Sequence, residues 1–234
     1  MEDLFGIVAP RYDFINDLQS LGLHRLWKRA LIKMAGVQAG DRALDVCCGT
    51  GDIAFALRES GAEVAALDFS AAMLAVAQQR AQARPSCRGG GPQPPREPPP
   101  VQFLRGDALR LPFAAETFDV TTVAYGLRNL ADWERGLEEM WRVARPGARL
   151  LVLDFDKPGN LLWRRVYFGY LKYLVPWFGK ILCKDSATHA YIYASLQAYP
   201  GGRGVAAKME SLHCAGIRVR NLAGGAMSIV LGRK

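Results

Sequence analysis

From Arg42 onward, short aliphatic and β-branched runs alternate with stretches whose apolar positions recur at helical spacing, the pattern of βαβ units that build a parallel sheet. The runs predicted as strands are 42–48 (RALDVCC), 62–69 (AEVAALDF), 101–107 (VQFLRGD), 118–125 (FDVTTVAY) and 148–155 (ARLLVLDF). Predicted helices fall between them at 52–59, 70–83 and 133–144, the last closed by Arg145-Pro146-Gly147 as a stop and turn. Two final runs, 217–222 and 226–232, are joined by Ala223-Gly224-Gly225 and read as an antiparallel hairpin. The expectation is a doubly wound, Rossmann-like α/β sheet of seven strands, mostly parallel, in one domain spanning 1–234.

Three segments decorate that sheet. Residues 1–36 read as two helices, the second (LHRLWKRALIKM) basic and amphipathic, placed to cap the ligand edge of the sheet. Residues 84–100, dense in proline and glycine, read as a disordered surface insert without a function of its own. Residues 157–200 contain the aromatic stretch 161–182 and a helical run at 186–196, both suited to covering a substrate. Arg164, Arg165, Lys172 and Lys180 would each cost about 3 kcal/mol at mid-bilayer, so 161–182 reads as an interfacial or pocket-covering helix rather than a span.

With half its residues hydrophobic, a 234-residue chain can bury a sizeable core. The net charge of +8 is spread along the chain, which permits attraction to nucleic acid or an anionic membrane without choosing between them. Five cysteines, an odd number, include the adjacent pair Cys47-Cys48 but no C-x-x-C with spaced histidines, so no metal site and a reducing compartment are expected. The opening EDLFGIVAPRYD already reads as structured sequence, and no targeting segment is expected before it.

Candidate chemistry begins at LDVCCGTGDIA (44–54), a strand, a tight glycine turn and a helix start. Read as G-x-G-x-x-A over Gly49, Gly51 and Ala54, with Asp68 at the end of the next strand for ribose hydroxyls, it fits a dinucleotide as well as S-adenosylmethionine. Asp52 is expected to separate the two, because a carboxylate on the first helical turn repels a pyrophosphate there. A sulfonium and an ammonium would instead be favoured beside Asp45 and Asp52. A lone strand-end aspartate such as Asp68 is often only a helix cap, but Asp45, Asp68 and Asp107 at three successive strand ends point to a ligand.

Six segments then carry a resemblance: FGIVAPRYDFIND (5–17), SLGLHRLWKR (20–29), LDVCCGTGD (44–52), LRLPF (109–113), YGLRN (125–129) and RPGARLLVLDF (145–155). Together they resemble the C-methyltransferases of ubiquinone and menaquinone biosynthesis over nearly the whole chain apart from the insert. CCGTGDIAF, LDFS and LAGGAMSIV are most similar to the plastid and cyanobacterial branch, which methylates demethylphylloquinone. The resemblance implies a class I S-adenosylmethionine-dependent fold and transfer of a methyl group to a carbon of a prenylated or phytylated naphthoquinol. It implies donor contacts at Asp45, Gly49, Thr50, Gly51, Asp68, Asp107, Ala108 and Ala124. Peripheral membrane contact, a homodimer, no nucleic-acid partner, and a chloroplast or cyanobacterial cytoplasmic location are further expectations.

Carbon methylation of a quinol needs an adjacent hydroxyl to lose its proton, alignment with the donor, and exclusion of water. Arg128, just past the fourth strand, is a candidate to stabilise the quinolate oxygen, against the alternative of a salt bridge that pins the turn. Asn129 either orients the same oxygen or forms an Asx turn. Tyr12 is placed to hydrogen-bond the quinol or to pack, and His24 to accept a proton or to serve the structure of its helix. Rival readings are an RNA methyltransferase, which would show an N/D-P-P-Y/F turn where this chain has YGLRN, and a non-catalytic scaffold of a quinone-synthesis complex. A ubiquinone-pathway benzoquinol is the competing acceptor.

Overall fold

The computed structural model describes residues 20, 22–83, 99–175 and 187–234. In chain order its elements are α1 (Leu23–Ala35), β1 (Arg42–Val46), α2 (Asp52–Glu59), β2 (Glu63–Asp68), α3 (Ala71–Ala83), β3 (Gln102–Arg105), β4 (Phe118–Ala124) and α4 (Trp133–Val143). There follow β5 (Ala144–Phe155), α5 (Leu161–Gly169), α6 (Ala187–Ala198), α7 (Gly201–Ser211), β6 (Ala215–Leu222) and β7 (Met227–Arg233). The seven strands form one sheet in the order β3-β2-β1-β4-β5-β7-β6. β1 to β5 run parallel, and β7 is antiparallel to both of its neighbours.

Side chains alternate between the two faces of a strand, and the strand sequences obey that period on both sides. Ala43, Val64, Ala66, Val120, Leu151 and Leu153 meet Leu31 of α1, Ile53 and Leu57 of α2 and Leu74 of α3. Leu44, Leu67, Leu150 and Val152, next to them in sequence, and Val123, three on from Val120, meet Leu137 and Met140 of α4 and Val205 and Met209 of α7 on the opposite face. Tyr167, Leu171 and Val175 on α5 and its continuation pack with Leu196 of α6 and Ala226 as a smaller third cluster.

Several expectations shift by a few residues, each for a tertiary reason. β5 starts at Ala144 rather than 148, because Arg145-Pro146-Gly147 is not a free turn but a bulge. The register jumps there from Phe118↔Ala144 to Val120↔Arg149, and Gly147 takes φ 82 to allow it. α7, absent from the pattern reading because GGRG breaks the helical signal, forms because Gly201 and Gly202 press against a buried carboxylate. The Gly202 amide donates to Asp156 Oδ2 at 3.0 Å, and a Cβ on Gly202 would lie 2.4 Å from Ser228 Oγ. Of the N-terminal cap, α1 packs on one face of the sheet against β5, β7 and α2 rather than across the strand ends. Residues 1–19 and 84–98 lie outside the described residues, and Pro99 at the insert's end accepts from Arg58 Nε at 3.0 Å.

Arg149 of β5 fixes α1 to the sheet. Its guanidinium donates to the Ala35 carbonyl at 2.7 Å and to the Gly36 carbonyl, and it pairs with Asp41 at 2.5 Å, with side chains only 15% exposed. Arg149→Met strands two helix-end carbonyls and a partly buried carboxylate, so a loss of about 2–3 kcal/mol in urea unfolding is expected.

Candidate active site

β1 and β4 are neighbours whose following helices, α2 and α4, pass to opposite faces, so their carboxyl ends open a crevice at the topological switch point. Both chains leave the sheet through non-glycine residues in the left-handed region, Cys47 at φ 55 and Tyr125 at φ 61. Between these two turns sits Gly126, where an added Cβ would lie 2.4 Å from Cys47 Cβ and 3.0 Å from its Sγ. Only glycine lets the two turns approach this closely.

The crevice is a cleft of about 300 Å³, walled by Cys47 and Gly49 after β1, Asp68–Ser70 after β2, Gly106–Leu109 after β3, and Ala124–Gly126 with Asn129–Ala131 after β4. Met73 of α3 closes the wall. Gly49 has φ 53, and a Cβ there would meet nothing within 4 Å, so the loop backbone is open to a ligand. Asp68 holds the loop: Oδ2 accepts from the Gly49 amide at 2.8 Å and Oδ1 from the Ser70 amide at 2.8 Å. Each oxygen keeps a second lone-pair direction for a ligand hydroxyl. Burial pushes the Asp68 carboxyl up, against the pull of those amides. Asp107 caps its own turn through the Leu109 amide at 2.9 Å and faces the same cleft.

Charge sets what the cleft accepts. Burial raises the Cys47 thiol well above its usual range, and the fields of Asp68, Asp45, Asp154 and Asp107 all add to that rise. Of these, Asp68 and Asp107 line the cleft while Asp154 is paired with Arg128, so two acids on the wall favour a cation and oppose a pyrophosphate. Asp52 is not the discriminating group expected from the sequence. Lys28 Nζ at 2.6 Å and Arg80 NH1 at 3.1 Å compensate its charge and tie α1 and α3 to the start of α2.

The structure brings Gly49, Asp68, Asp107, Ala108, Ala124 and Asn129 together at the cleft. Asp45, Thr50 and Gly51 do not line it. Asp45 lies beneath, 1% exposed, accepting from Thr122 Oγ1 at 2.9 Å. Gly51 caps α2 at φ 87 and packs against Phe55 and Phe103. Thr50 is buried, and its carbonyl accepts from Arg80 at 3.4 Å. His24 is buried in α1 with Nδ1 2.9 Å from Ser20 Oγ, away from the cleft wall, and Tyr12 lies outside the described residues.

Arg128 also departs from the expectation. Its guanidinium pairs with Asp154 Oδ1 at 3.1 Å and donates to the Tyr125 carbonyl at 2.6 Å, while its amide donates to Asp154 Oδ2 at 3.1 Å. It stacks 4.5 Å from the Phe155 ring centroid, and the side chains of the pair are 7% and 2% exposed. The cation therefore pins the YGLRN turn to the end of β5 instead of reaching into the cleft. Asn129 does reach it: Nδ2 donates to the Tyr125 carbonyl at 3.2 Å, which fixes the amide's orientation, and Oδ1 is buried without a partner. Sequence reasoning missed Phe69, Met73 and Leu109 as wall residues. Phe69 and Leu109 stand one and two places after strand-end acids it did single out, so a wider window at each strand end would have found them.

Residues 1–234 match the model of the ubiE/COQ5 methyltransferase family. A demethylmenaquinone methyltransferase of Mycobacterium sp. (strain KMS) is 37% identical over 97% of this chain and 90% of its own length. A ubiquinone/menaquinone biosynthesis C-methyltransferase of Idiomarina loihiensis is 36% identical over 99% and 89%. Among solved structures, an S-adenosylmethionine-dependent methyltransferase from Thermotoga maritima superposes with a TM-score of 0.68 over the whole of both chains at 18% identity, a likeness of fold. One from Aquifex aeolicus gives 0.56 over 88% of each at 19% identity.

Removing the Arg128 side chain leaves Asp154 buried without its countercharge. Arg128→Ala is expected to cost about 3–5 kcal/mol of folding stability, read by chemical denaturation, beyond any loss of turnover.

Proposed function

Because the chain belongs to the ubiE/COQ5 methyltransferase family, we propose that it transfers the methyl group of S-adenosylmethionine to a ring carbon of a prenylated naphthoquinol, the closing methylation of a menaquinone or of phylloquinone. The observation that carries this reading is the family match over the full chain, met in the structure by a cleft at the switch point of the sheet with Asp68 and Asp107 on its wall. The donor, when bound, supplies an electrophilic methyl on a sulfonium. The chain's own residues supply the rest. Asp68 takes the ribose hydroxyls, Asp107 with Ala108 takes the adenine edge, and these two carboxylates favour the donor's positive charge.

On the acceptor side, the anchored Asn129 amide presents Oδ1 to a ring hydroxyl and orients it, while the Arg128–Asp154 pair keeps Asn129 in place. Arg128 is thus a positioning residue. A naphthoquinol is favoured over a benzoquinol by the demethylmenaquinone enzymes among the relatives, and the phytylated form by the plastid-like segments CCGTGDIAF, LDFS and LAGGAMSIV. A plastid or cyanobacterial setting follows from that same branch. Incubation with labelled donor and a panel of reduced demethyl naphthoquinols and benzoquinols is expected to label the naphthoquinols. Label on none of them, with donor binding intact, overturns the assignment; label on benzoquinols alone moves it to the ubiquinone pathway.

The tail of such a substrate lives in a bilayer, and α5 suits that surface. Leu161, Leu162 and Val166 are 71%, 73% and 54% exposed, Tyr173 beyond the helix is 67% exposed, and Arg165 and Lys172 share the same stripe. Apolar anchors interleaved with cations fit the headgroup region of an anionic membrane. Among the described residues no helix is long and apolar enough to cross a membrane. Flotation with anionic vesicles is expected to carry the chain upward and Leu162→Asp/Val166→Asp to leave it behind; a wild-type chain that stays at the bottom refutes membrane contact.

A further inference from the structure

Asp45 has no part in the chemistry above, yet it is a carboxylate one layer under the cleft floor. It stands on β1 two residues before Cys47, which lines the cleft. Thr122 Oγ1 of β4 donates to Oδ1 at 2.9 Å, whereas Oδ2 is buried and has no well-formed hydrogen bond, although the Ala54 amide of α2 helps to favour charge there. An ionised carboxylate with one unsatisfied oxygen is costly in such a place, and a neutral carboxylic acid is not.

The groups around it do not settle its charge by themselves. Asp68 of β2 opposes ionisation and Lys28 of α1 favours it, but Lys28 is already held by Asp52 of α2, which Arg80 of α3 also grips. The thiols of Cys47 and Cys48 are raised by burial and by this same carboxylate, and they bring no positive charge. The nearby charge that is missing is a cation in the cleft.

We infer that binding of a sulfonium donor draws the proton off Asp45, so that donor binding and ionisation of this carboxyl are one linked event. The inference rests on the methyl-donor reading of the cleft. Burial, with Asp68 adding to it, pushes the Asp45 carboxyl up to about 7 in the free protein, so it is poised near neutrality. A positive charge close by lowers that value, and by linkage the donor binds more tightly as the pH rises toward 7 and levels off above it. The thioether left after methyl transfer lacks the sulfonium charge and keeps only the ammonium, so the product lowers the Asp45 value less than the donor does. Discrimination of donor over product therefore increases with pH across this range.

Calorimetric titration of the full chain with S-adenosylmethionine and with S-adenosylhomocysteine, from pH 5.5 to 8.5 in buffers of different ionisation heat, reads both affinity and protons released. Wild type is expected to bind the donor about sixfold more tightly at pH 7.5 than at 5.5, the result of a one-unit downward shift of Asp45 from about 7 on binding, and to show a smaller change with the product. The donor's own α-amino group, with an ordinary value of about 7.7–8.0, titrates in this range with both proteins, and burial raises the Asp68 carboxyl in both, so the difference from Asp45→Asn isolates Asp45. The Asn variant should release fewer protons and lose most of the rise. Thr122→Val removes a bond that favours the charged form and should move the midpoint to higher pH, which keeps the inference testable if the Asn variant fails to fold. Equal proton release and parallel profiles in wild type and Asn variant, or an unmoved midpoint in the Val variant, overturn it. Absence of donor binding at every pH overturns instead the reading of the cleft on which it rests.

Discussion

The site depends on one steric constraint, the contact between the turns that leave β1 and β4. Their strands pair in register from Ala43↔Val120 to Val46↔Val123, which delivers Cys47 and Tyr125 side by side at the sheet edge. Gly126 then presses so close to Cys47 that no side chain fits between them. Both chains pass through left-handed residues at this contact, and because their helices go to opposite faces the cleft is the space between. The Arg128–Asp154 pair is the electrostatic half of the same constraint. It ties the turn after β4 to the end of β5 and thereby sets the plane of the Asn129 amide.

Around that contact the distribution of charge does most to define the ligand. The chain as a whole is basic, at +8, yet the charged residues on the cleft wall are Asp68 and Asp107. Cations that approach the site are committed elsewhere: Lys28 and Arg80 to Asp52, Arg128 to Asp154. The field in the cleft is thus opposite in sign to the net charge of the protein, because local pairing rather than composition decides which carboxylates remain uncompensated. The exposed apolar and basic stripe on α5 is where the surplus positive charge has an evident surface to meet.

The strand-by-strand pattern made the architecture legible because apolar β-rich runs and helical segments alternate from Arg42 to Phe155 on both sides of the 84–100 insert. The hairpin was legible from its AGG turn. What the pattern could not show were places where glycine serves packing instead of a turn. GGRG opens α7 because Asp156 and Ser228 occupy the room of a Cβ, and Pro146-Gly147 is a bulge inside a strand because β4 continues past it. Neither partner is near in sequence.

For the cleft, residue type and strand-end position were enough to bring Gly49, Asp68, Asp107 and Ala108 to one place, since every parallel strand delivers its carboxyl end to the same edge. They were not enough to assign side-chain roles. Asp45 and Asp68 share one face of neighbouring strands, but Asp45 pairs with Ala66, one pleat further back, and is buried against Thr122, while Asp68 stands at the strand end and lines the cleft. Arg128 and Asn129 are adjacent, yet Asp154, twenty-six residues on, captures the first and leaves the second at the wall. The sequence by itself determined the fold, the edge at which chemistry occurs and the family. Only the tertiary structure decided which charges there are free, because compensation depends on partners that distant strands bring within hydrogen-bond reach.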